Sequence, residues 1–493
     1  MILPVRPGLA AAVSAALFAG LAAGEARWDS ATIDEPVYVD AAWRLGQGRP
    51  DGNVEHPPLA KLLMLAGQRL LAPPRAVPDP PGALYWNSDG GLLASRAPMI
   101  VLGALFCALL TLWAARAAPG AAWPTALLAA TAPSLLAHGH LATLDIGLAL
   151  SFAAACLAGE ALAERPTPWR ALAVALAVGA TVSTKWSGAV LLGALPLAAF
   201  AGAAGGLRPR LRALLLVLAP AVAGLAVLAL VYAATVGLPR LAEGVRWQLE
   251  HARQGHEVLL FGRVLPRGAW WYFLAVLALK TPLAVFPLAA AGAGAVQRRT
   301  FLWLPAAVLF AALSLGSVQL GIRYVLPIYL PLLAAAGAGV ARLWTLPGAR
   351  WAAPILAAAA VASSLATIPR HVEYQHEARL LSRWYGYDWL GDSNGDWGQG
   401  AKALAEDVAT IDVGRLCVAW FGLPTWRFEP VLAAHAAEAP ACDTAAVSAT
   451  WLFQRPGFAP FRAEQALNRR GPVFLFDVRG RPELQRIARA PGS

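Results

Sequence analysis

The sequence predicts a polytopic α-helical membrane protein that ends in a small α/β domain outside the bilayer. Three observations lead there. Hydrophobic residues make up 58% of the 493 and charged residues only 14%, whereas a soluble domain carries roughly a quarter charged residues. The apolar residues gather in runs, most near the length of about 18 that crosses a bilayer as a helix. From Arg370 onward the pattern changes to mixed polar sequence with short strand-like stretches.

About eleven spans are expected, over residues 8–24, 97–115, 121–137, 146–162, 171–184, 187–204, 211–236, 269–291, 301–316, 324–340 and 351–368. Many are rich in Ala and Gly, which let helices approach closely in lipid. The first run follows Arg6 and is read as an uncleaved first helix rather than a signal peptide, because so many spans follow it. With the N-terminus inside, the inner loops carry Arg116; Arg165 and Arg170; Arg208, Arg210 and Arg212; Arg298 and Arg299; Arg342 and Arg350. Every short inner loop is then basic, as the positive-inside rule requires. The net charge of +11 lies in the part before Arg370, these loops included, since acids and bases balance in the tail. No basic module with interleaved aromatics is present, so nucleic acid is not an expected partner.

This topology divides the chain into a membrane part, 1–369, with outer loops 25–96 and 237–268, and an extracytoplasmic α/β domain, 370–493. The expected location is the plasma (inner) membrane, with a cytoplasmic N-terminus. Strand-like runs "RLCVAWFG", "TAAVSATWLF" and "PVFLFDV" mark the tail, and Asp396 with Gln399 has the spacing of a capping box opening its first helix. Cys417 and Cys442 lie in or beside two of these runs. In an oxidising compartment they are expected to pair.

The outer turns collect the polar residues. "TIDEPVY" supplies Asp34, Glu35 and Tyr38, and "NVEHPPLAK" supplies Glu55 and His56. Residues 59–70 read as an amphipathic helix in the interface plane, with Lys61, Gln68 and Arg69 on the polar face. "HGHLATLD" adds His138, His140 and Asp145, and "STKWSG" adds Lys185. "WQLEHARQGHEV" adds His251, Arg253 and His256. Lys280 stands inside a span, which is costly without a partner or a task. Arg323 and Tyr324 complete the set.

Taken singly, each is ordinary: a solvated acid pair, loop histidines, snorkelling cations. Their coincidence at one membrane level suggests chemistry. Lys and Arg at helix ends make charge-assisted hydrogen bonds to phosphate. A nearby carboxylate suits a general base that deprotonates an attacking hydroxyl. Together they describe glycosyl transfer from a polyprenyl-phosphate sugar, a donor that needs no nucleotide outside the cell. Asp34 and Glu35 are the catalytic candidates. Adjacent residues do not share a helix face, so one acid acts while the other orients the loop.

"DEPVY", "EHPPLAK", "TLD", "LALKTP", "RYVLP" and "DSNGDWGQ", in this order, resemble the polyprenyl-phosphate-sugar-dependent membrane glycosyltransferases of the GT-C fold. These include protein O-mannosyltransferases and lipid A aminoarabinose transferases. The resemblance covers about residues 1–370. It implies an inverting hexosyl or pentosyl transfer with the first-loop aspartate, here Asp34, as base. It also implies a divalent metal (Zn, Mn or Mg) held by residues in the positions of Glu55, Asp145 and His251. His56 stands where the aminoarabinose branch has a lysine. Lys185, Arg253, Lys280, Arg323 and Tyr324 are the candidates for the donor phosphate, with His56, Tyr38 and His256 as further site residues. The implied partners are the lipid donor, membrane lipid, and an acceptor protein, glycolipid or polymer.

The alternative is a polytopic transporter or flippase of a lipid-linked sugar. Transporters place charge near the midplane, often on broken helices within inverted repeats. Here only Lys280 lies clearly within a span, and no repeat is visible.

Overall fold

The computed structural model describes residues 6–72, 90–436, 442–468 and 471–489. All eleven apolar runs are helical. The membrane part is built from α1 (Pro7–Trp28), α2 (Glu35–Gly46), α3 (Leu59–Leu71), α4 (Gly91–Ala117), α5 (Ala122–Ala130), α6 (Pro133–Gly139), α7 (Asp145–Glu164) and α8 (Pro168–Thr184). It continues through α9 (Leu191–Gly202), α10 (Leu207–Ala234), α11 (Leu238–Gln254), α12 (Tyr272–Leu279), α13 (Val285–Gln297), α14 (Thr300–Ser314), α15 (Tyr329–Thr345) and α16 (Ala352–Leu365). Among the described residues, five helices are both long and apolar enough to cross a membrane, and four apolar helices are shorter.

Several predicted spans are broken, and prolines explain most of the breaks. The 121–137 run splits ahead of Pro133, and the 269–291 run splits around Pro282. Proline lacks an N–H and pushes the residue before it out of helical geometry. The 324–340 run begins as a 3-10 helix, Ile322–Ile328, with Pro327 inside it. These breaks fall where site residues are found.

Small residues do let helices approach. A Cβ on Gly339 of α15 would lie 1.8 Å from the Leu288 carbonyl oxygen of α13. Only glycine permits that approach. Elsewhere the interior is filled by side chains such as Phe18, Phe106, Phe152 and Trp113, all buried.

The α2–α3 region corrects one expectation. In α3 two of the three polar residues point into the protein, not toward water: Lys61 and Gln68 are buried, while Arg69 is exposed beside Leu70 and Leu71. Gln68 donates to the Val39 carbonyl at 2.9 Å and to Ser95 Oγ at 3.0 Å. Lys61 pairs with Asp51 and donates to the carbonyls of Asn53 and His56 at 3.0 and 2.9 Å. A buried ammonium needs such partners, and here they shape the loop that carries Glu55 and His56.

The tail holds a three-stranded sheet, β3 (Leu416–Ala419), β4 (Thr444–Ser448) and β5 (Val473–Asp477), in that order. β3 and β4 are parallel, and β4 and β5 antiparallel. The run "TAAVSATWLF" is strand only to Ser448 and then turns into a helix, Ala449–Gln454. Asp396 and Gln399 do not form a capping box, since the helix Ala401–Thr410 begins after Gly400. Asp396 instead accepts from the Thr450 N–H at 2.9 Å. Cys417 and Cys442 form a disulfide with Cα atoms 5.7 Å apart.

Several attachments join tail and membrane part, among them Ser30 N–H to Gln399 O at 3.1 Å and Ile33 N–H to Trp397 O at 2.9 Å. A hairpin of β1 (Val258–Leu260) and β2 (Arg263–Leu265) bonds to the tail through Phe261 N–H to Trp389 O at 2.9 Å. The "DSNGDWGQ" segment inserts beside Arg323, as described next.

Candidate active site

The site is assembled from helix ends. Asp34 directly precedes α2, whose first turn contains Pro36. Proline is tolerated there because that N–H has no helical partner in any case. Asp145 opens α7, and Lys185 follows the last residue of α8. An acid at a helix start and a cation at a helix end both complement the helix dipole.

These residues meet. Arg323 Nη1 lies 2.6 Å from Asp34 Oδ2 and 4.0 Å from Asp145 Oδ2. Lys185 Nζ lies 2.6 Å from Asp145 Oδ1 and 3.8 Å above the Tyr324 ring centre. Two cations thus alternate with two carboxylates. Asp145, Lys185 and Arg323 are buried, whereas the Asp34 side chain retains 27% exposure. Asp34 is therefore the acid of this group that a substrate can reach.

Glu55 and His56 form the adjoining wall. Their side chains approach to 3.4 Å. Burial, with Asp34 nearby, raises the Glu55 carboxyl above its ordinary range. Burial, with Lys185 and Lys61 nearby, holds the His56 imidazole well below its own. His56 is thereby kept neutral, and its Nδ1 has no hydrogen-bond partner among the described residues. Tyr38 packs tilted against His56, with ring centres 5.9 Å apart. The Glu55 carbonyl accepts from Trp186 and Gln248, each at 3.0 Å, which fixes this wall against α11.

Other predicted residues take different places. Glu35 is not accessible for catalysis: it is fully buried in a two-pronged ion pair with Arg96, both contacts at 2.7 Å. It also accepts from the N–H groups of Thr32 and Ala142, at 3.0 and 2.7 Å. It orients the loop that presents Asp34. Lys280 is engaged elsewhere: its Nζ is buried and donates to the carbonyls of Val372 and Asn394 at 2.9 and 2.8 Å. That tie to the tail is what keeps an ammonium inside a span. Arg253 is exposed and pairs with Glu250 at 3.7 Å, so it stands outside the group.

Glu55, Asp145 and His251, the residues expected to hold a metal, do not converge as a ligand set in this structure. Among the described residues no group of three His, Cys, Asp or Glu side chains is arranged to hold an ion. Asp145 is paired with Lys185 at 2.6 Å, and Glu55 lies 3.4 Å from His56. His251 stacks on Trp247 at 4.8 Å, with His256 at 6.5 Å. The His256 Nδ1 lies 2.8 Å from the Glu257 carbonyl oxygen.

The tail supplies residues that the outer-turn inventory missed. The Arg323 guanidinium lies over the Trp397 ring at 4.3 Å. Asn394 Oδ1 accepts from the Ile322 N–H at 3.0 Å, and Ser393 Oγ donates to the Leu320 carbonyl at 3.0 Å. This contact requires Gly321, which sits at φ 79°, and a Cβ there would come 2.7 Å from Ser393 Oγ. Asp392 is a further acid whose electrostatic neighbours are Arg323, His256 and Asp34, and burial raises its carboxyl. The signal lies in "DSNGDWGQ", where the Asp396–Gln399 spacing suggests only a capping box.

The model of the family "Dolichyl-phosphate-mannose-protein mannosyltransferase" matches residues 52–202, which include Glu55, His56, Asp145 and Lys185. The fold is similar to that of ArnT from Cupriavidus metallidurans in the apo state, at 17% identity over 98% of each chain with a TM-score of 0.52. It is similar to ArnT bound to undecaprenyl phosphate, at 17% identity over 95% of this chain and 97% of that one, TM-score 0.50. A partial likeness extends to the S. cerevisiae protein O-mannosyltransferase Pmt1–Pmt2 complex bound to the sugar donor, at 22% identity over 51% of this chain and 34% of that one, TM-score 0.34. No curated protein sequence matches this chain. The match to that family's model over residues 52–202 and the fold shared with ArnT are found on a helical scaffold that gathers carboxylates and cations at helix ends.

Proposed function

We propose that this enzyme transfers a sugar, with inversion, from a polyprenyl-phosphate donor to a hydroxyl on the outer face of the plasma membrane. The observation that carries this reading is the Asp34–Arg323 pair, 2.6 Å apart, with Asp34 as its accessible member. Basic inner loops support a cytoplasmic N-terminus, and hence an outer site and tail.

The chemistry follows from what each group can do. The donor phosphate is drawn to Arg323 and Lys185, which make charge-assisted hydrogen bonds to its oxygens. The Tyr324 hydroxyl is a further donor near them. The phosphate competes with Asp34 for the guanidinium and releases the carboxylate toward the sugar. An acceptor O–H then attacks the anomeric carbon from the face opposite the phosphate. Asp34 takes the proton as the new C–O bond forms. The old C–O bond breaks, and its electron pair leaves on the phosphate. Asp145 stays with Lys185 and holds that cation in place. A general base of this kind contributes about 10²- to 10⁴-fold. The acceptor is a protein, a glycolipid or an envelope polymer.

The test is a transfer assay. Purified protein is incubated with a panel of labelled polyprenyl-phosphate sugars and membrane extract. The reading expects label to move from one donor to a stable acceptor with inverted anomeric configuration. Retained configuration, or movement of intact donor across a vesicle without transfer, would contradict it.

A further inference from the structure

A second polar cavity lies apart from Asp34 and Arg323. It has a volume of about 600 Å³ and opens between the end of α1, the end of α16 and the tail. A volume of this size accommodates a small polar ligand. Its walls include Trp28, Tyr385 and two arginines, Arg370 and Arg379. Among the described residues neither arginine forms an ion pair. Arg370 lies 5.7 Å over the Trp28 ring, and Arg379 donates to Thr367 Oγ1 at 3.2 Å. Four carboxyls share the cavity: Glu373, Glu377, Glu406 and Asp407. Glu373 accepts from the Tyr387 hydroxyl at 2.8 Å, and Asp407 from Asn468 at 2.7 Å. The cavity therefore offers both signs of charge without closing them on each other.

An apolar groove of about 310 Å³ continues from it along α1. The two share Trp28, Ile368 and Pro369, and the groove runs on past Gly24, Leu21 and Gly20. A Cβ added at Gly20 or Gly24 meets nothing within 4 Å. From Trp28 to Gly20 the helix descends about 12 Å, the depth of the upper part of an acyl chain. Around the mouth, Ile368, Leu380 and Leu381 are exposed by 44%, 66% and 89%. Exposed leucines beside arginines belong at a headgroup boundary.

We propose that cavity and groove together bind one phospholipid whose headgroup carries a phosphate and a primary ammonium. The phosphate sits on Arg370 and Arg379, the ammonium on the carboxyls, and one acyl chain lies against Gly20 and Gly24. An anionic headgroup without an amine satisfies the arginines alone. A quaternary ammonium has no N–H to give. The site uses none of the residues assigned to transfer, so it stands or falls separately from that reaction.

The experiment uses delipidated full-length protein offered equal amounts of chain-matched phosphatidylethanolamine, phosphatidylglycerol and phosphatidylcholine, with bound lipid read by native mass spectrometry. Phosphatidylethanolamine is expected to be retained about 5-fold or more over each of the others. Arg370→Gln with Arg379→Gln removes that excess. Gly20→Phe fills the groove and lowers retention while the cavity stays intact, which keeps the test valid if the arginine variant does not fold. Undecaprenyl phosphate retention stays at the wild-type level in both variants. Equal retention of the three lipids, preference for phosphatidylglycerol, or retention unmoved by the variants overturns the proposal.

Discussion

The Arg323 guanidinium rests 4.3 Å from the Trp397 ring centre while its Nη1 contacts Asp34 at 2.6 Å. A tail aromatic thus holds the cation that faces Asp34, the proposed base. A desolvated cation–π contact contributes about 0.5–2 kcal/mol. Trp397→Leu is therefore expected to lower kcat/KM by about 2- to 30-fold. Trp397→Phe, which keeps an aromatic face, should retain more activity. Steady-state kinetics on the purified variants check this. Wild-type kcat/KM in Trp397→Leu would remove the tail from the site.

Glu35 and Asp34 are neighbours with separable tasks. Glu35→Gln breaks a buried two-pronged pair with Arg96 and leaves that guanidinium without its counter-charge. Breaking a buried pair in this way costs about 3–5 kcal/mol. The expected outcome is a Tm in detergent lowered clearly more than that of Asp34→Asn, whose carboxylate is 27% exposed and whose partner Arg323 keeps Asp145 at 4.0 Å. Equal Tm values for the two variants would contradict the assignment of Glu35 to structure.

Glu373 gives a pH signature. Burial pushes its carboxyl up from the ordinary 4.5 to about 7, against the opposing pull of Arg370. The folded protein then binds a proton that the unfolded chain has lost, so stability falls as pH rises from about 4.5 to about 7. Glu373→Gln still accepts from Tyr387 and has no proton to lose. Its Tm should decline less than that of wild type across this window. Parallel Tm curves from pH 4.5 to 7 would refute the coupling.

The disulfide joins β3 to the segment just before β4, across a sequence separation of 25. A loop of that length constrains the unfolded chain by about 3 kcal/mol. Cys417→Ser with Cys442→Ser should lower the Tm of the tail transition, and reductant should do the same to wild type and nothing further to the variant. A transition that ignores both changes would show that the bond contributes nothing.

How much of this was legible in the sequence differs by residue. The apolar runs gave the helices, because twenty-residue hydrophobicity has few other uses. Their interruptions at Pro133 and Pro282 were visible as residues, but a run with a proline still scores as one span. In the site, Asp34, Asp145, Lys185, Arg323 and Tyr324 were named from their outer positions, and the structure places them in contact. Glu35 and Lys280 were misassigned for a common reason. A sequence shows that a charge is present, not whether a buried partner such as Arg96 or the Val372 carbonyl already claims it. Arg253 fails the opposite way, since α11 turns it out to solvent. Trp397 lies 74 residues beyond Arg323 in the chain, and no local pattern announces a contact at that separation.

The central claim is that Asp34 is the base. Asp34→Asn keeps the shape of the side chain and removes its basicity. The most direct measurement is single-turnover transfer by this variant, with donor binding followed in the same preparation. The account predicts a fall of about 10²- to 10⁴-fold in the transfer rate, with the donor still held by Arg323 and Lys185. Transfer by Asp34→Asn at the wild-type rate would contradict it.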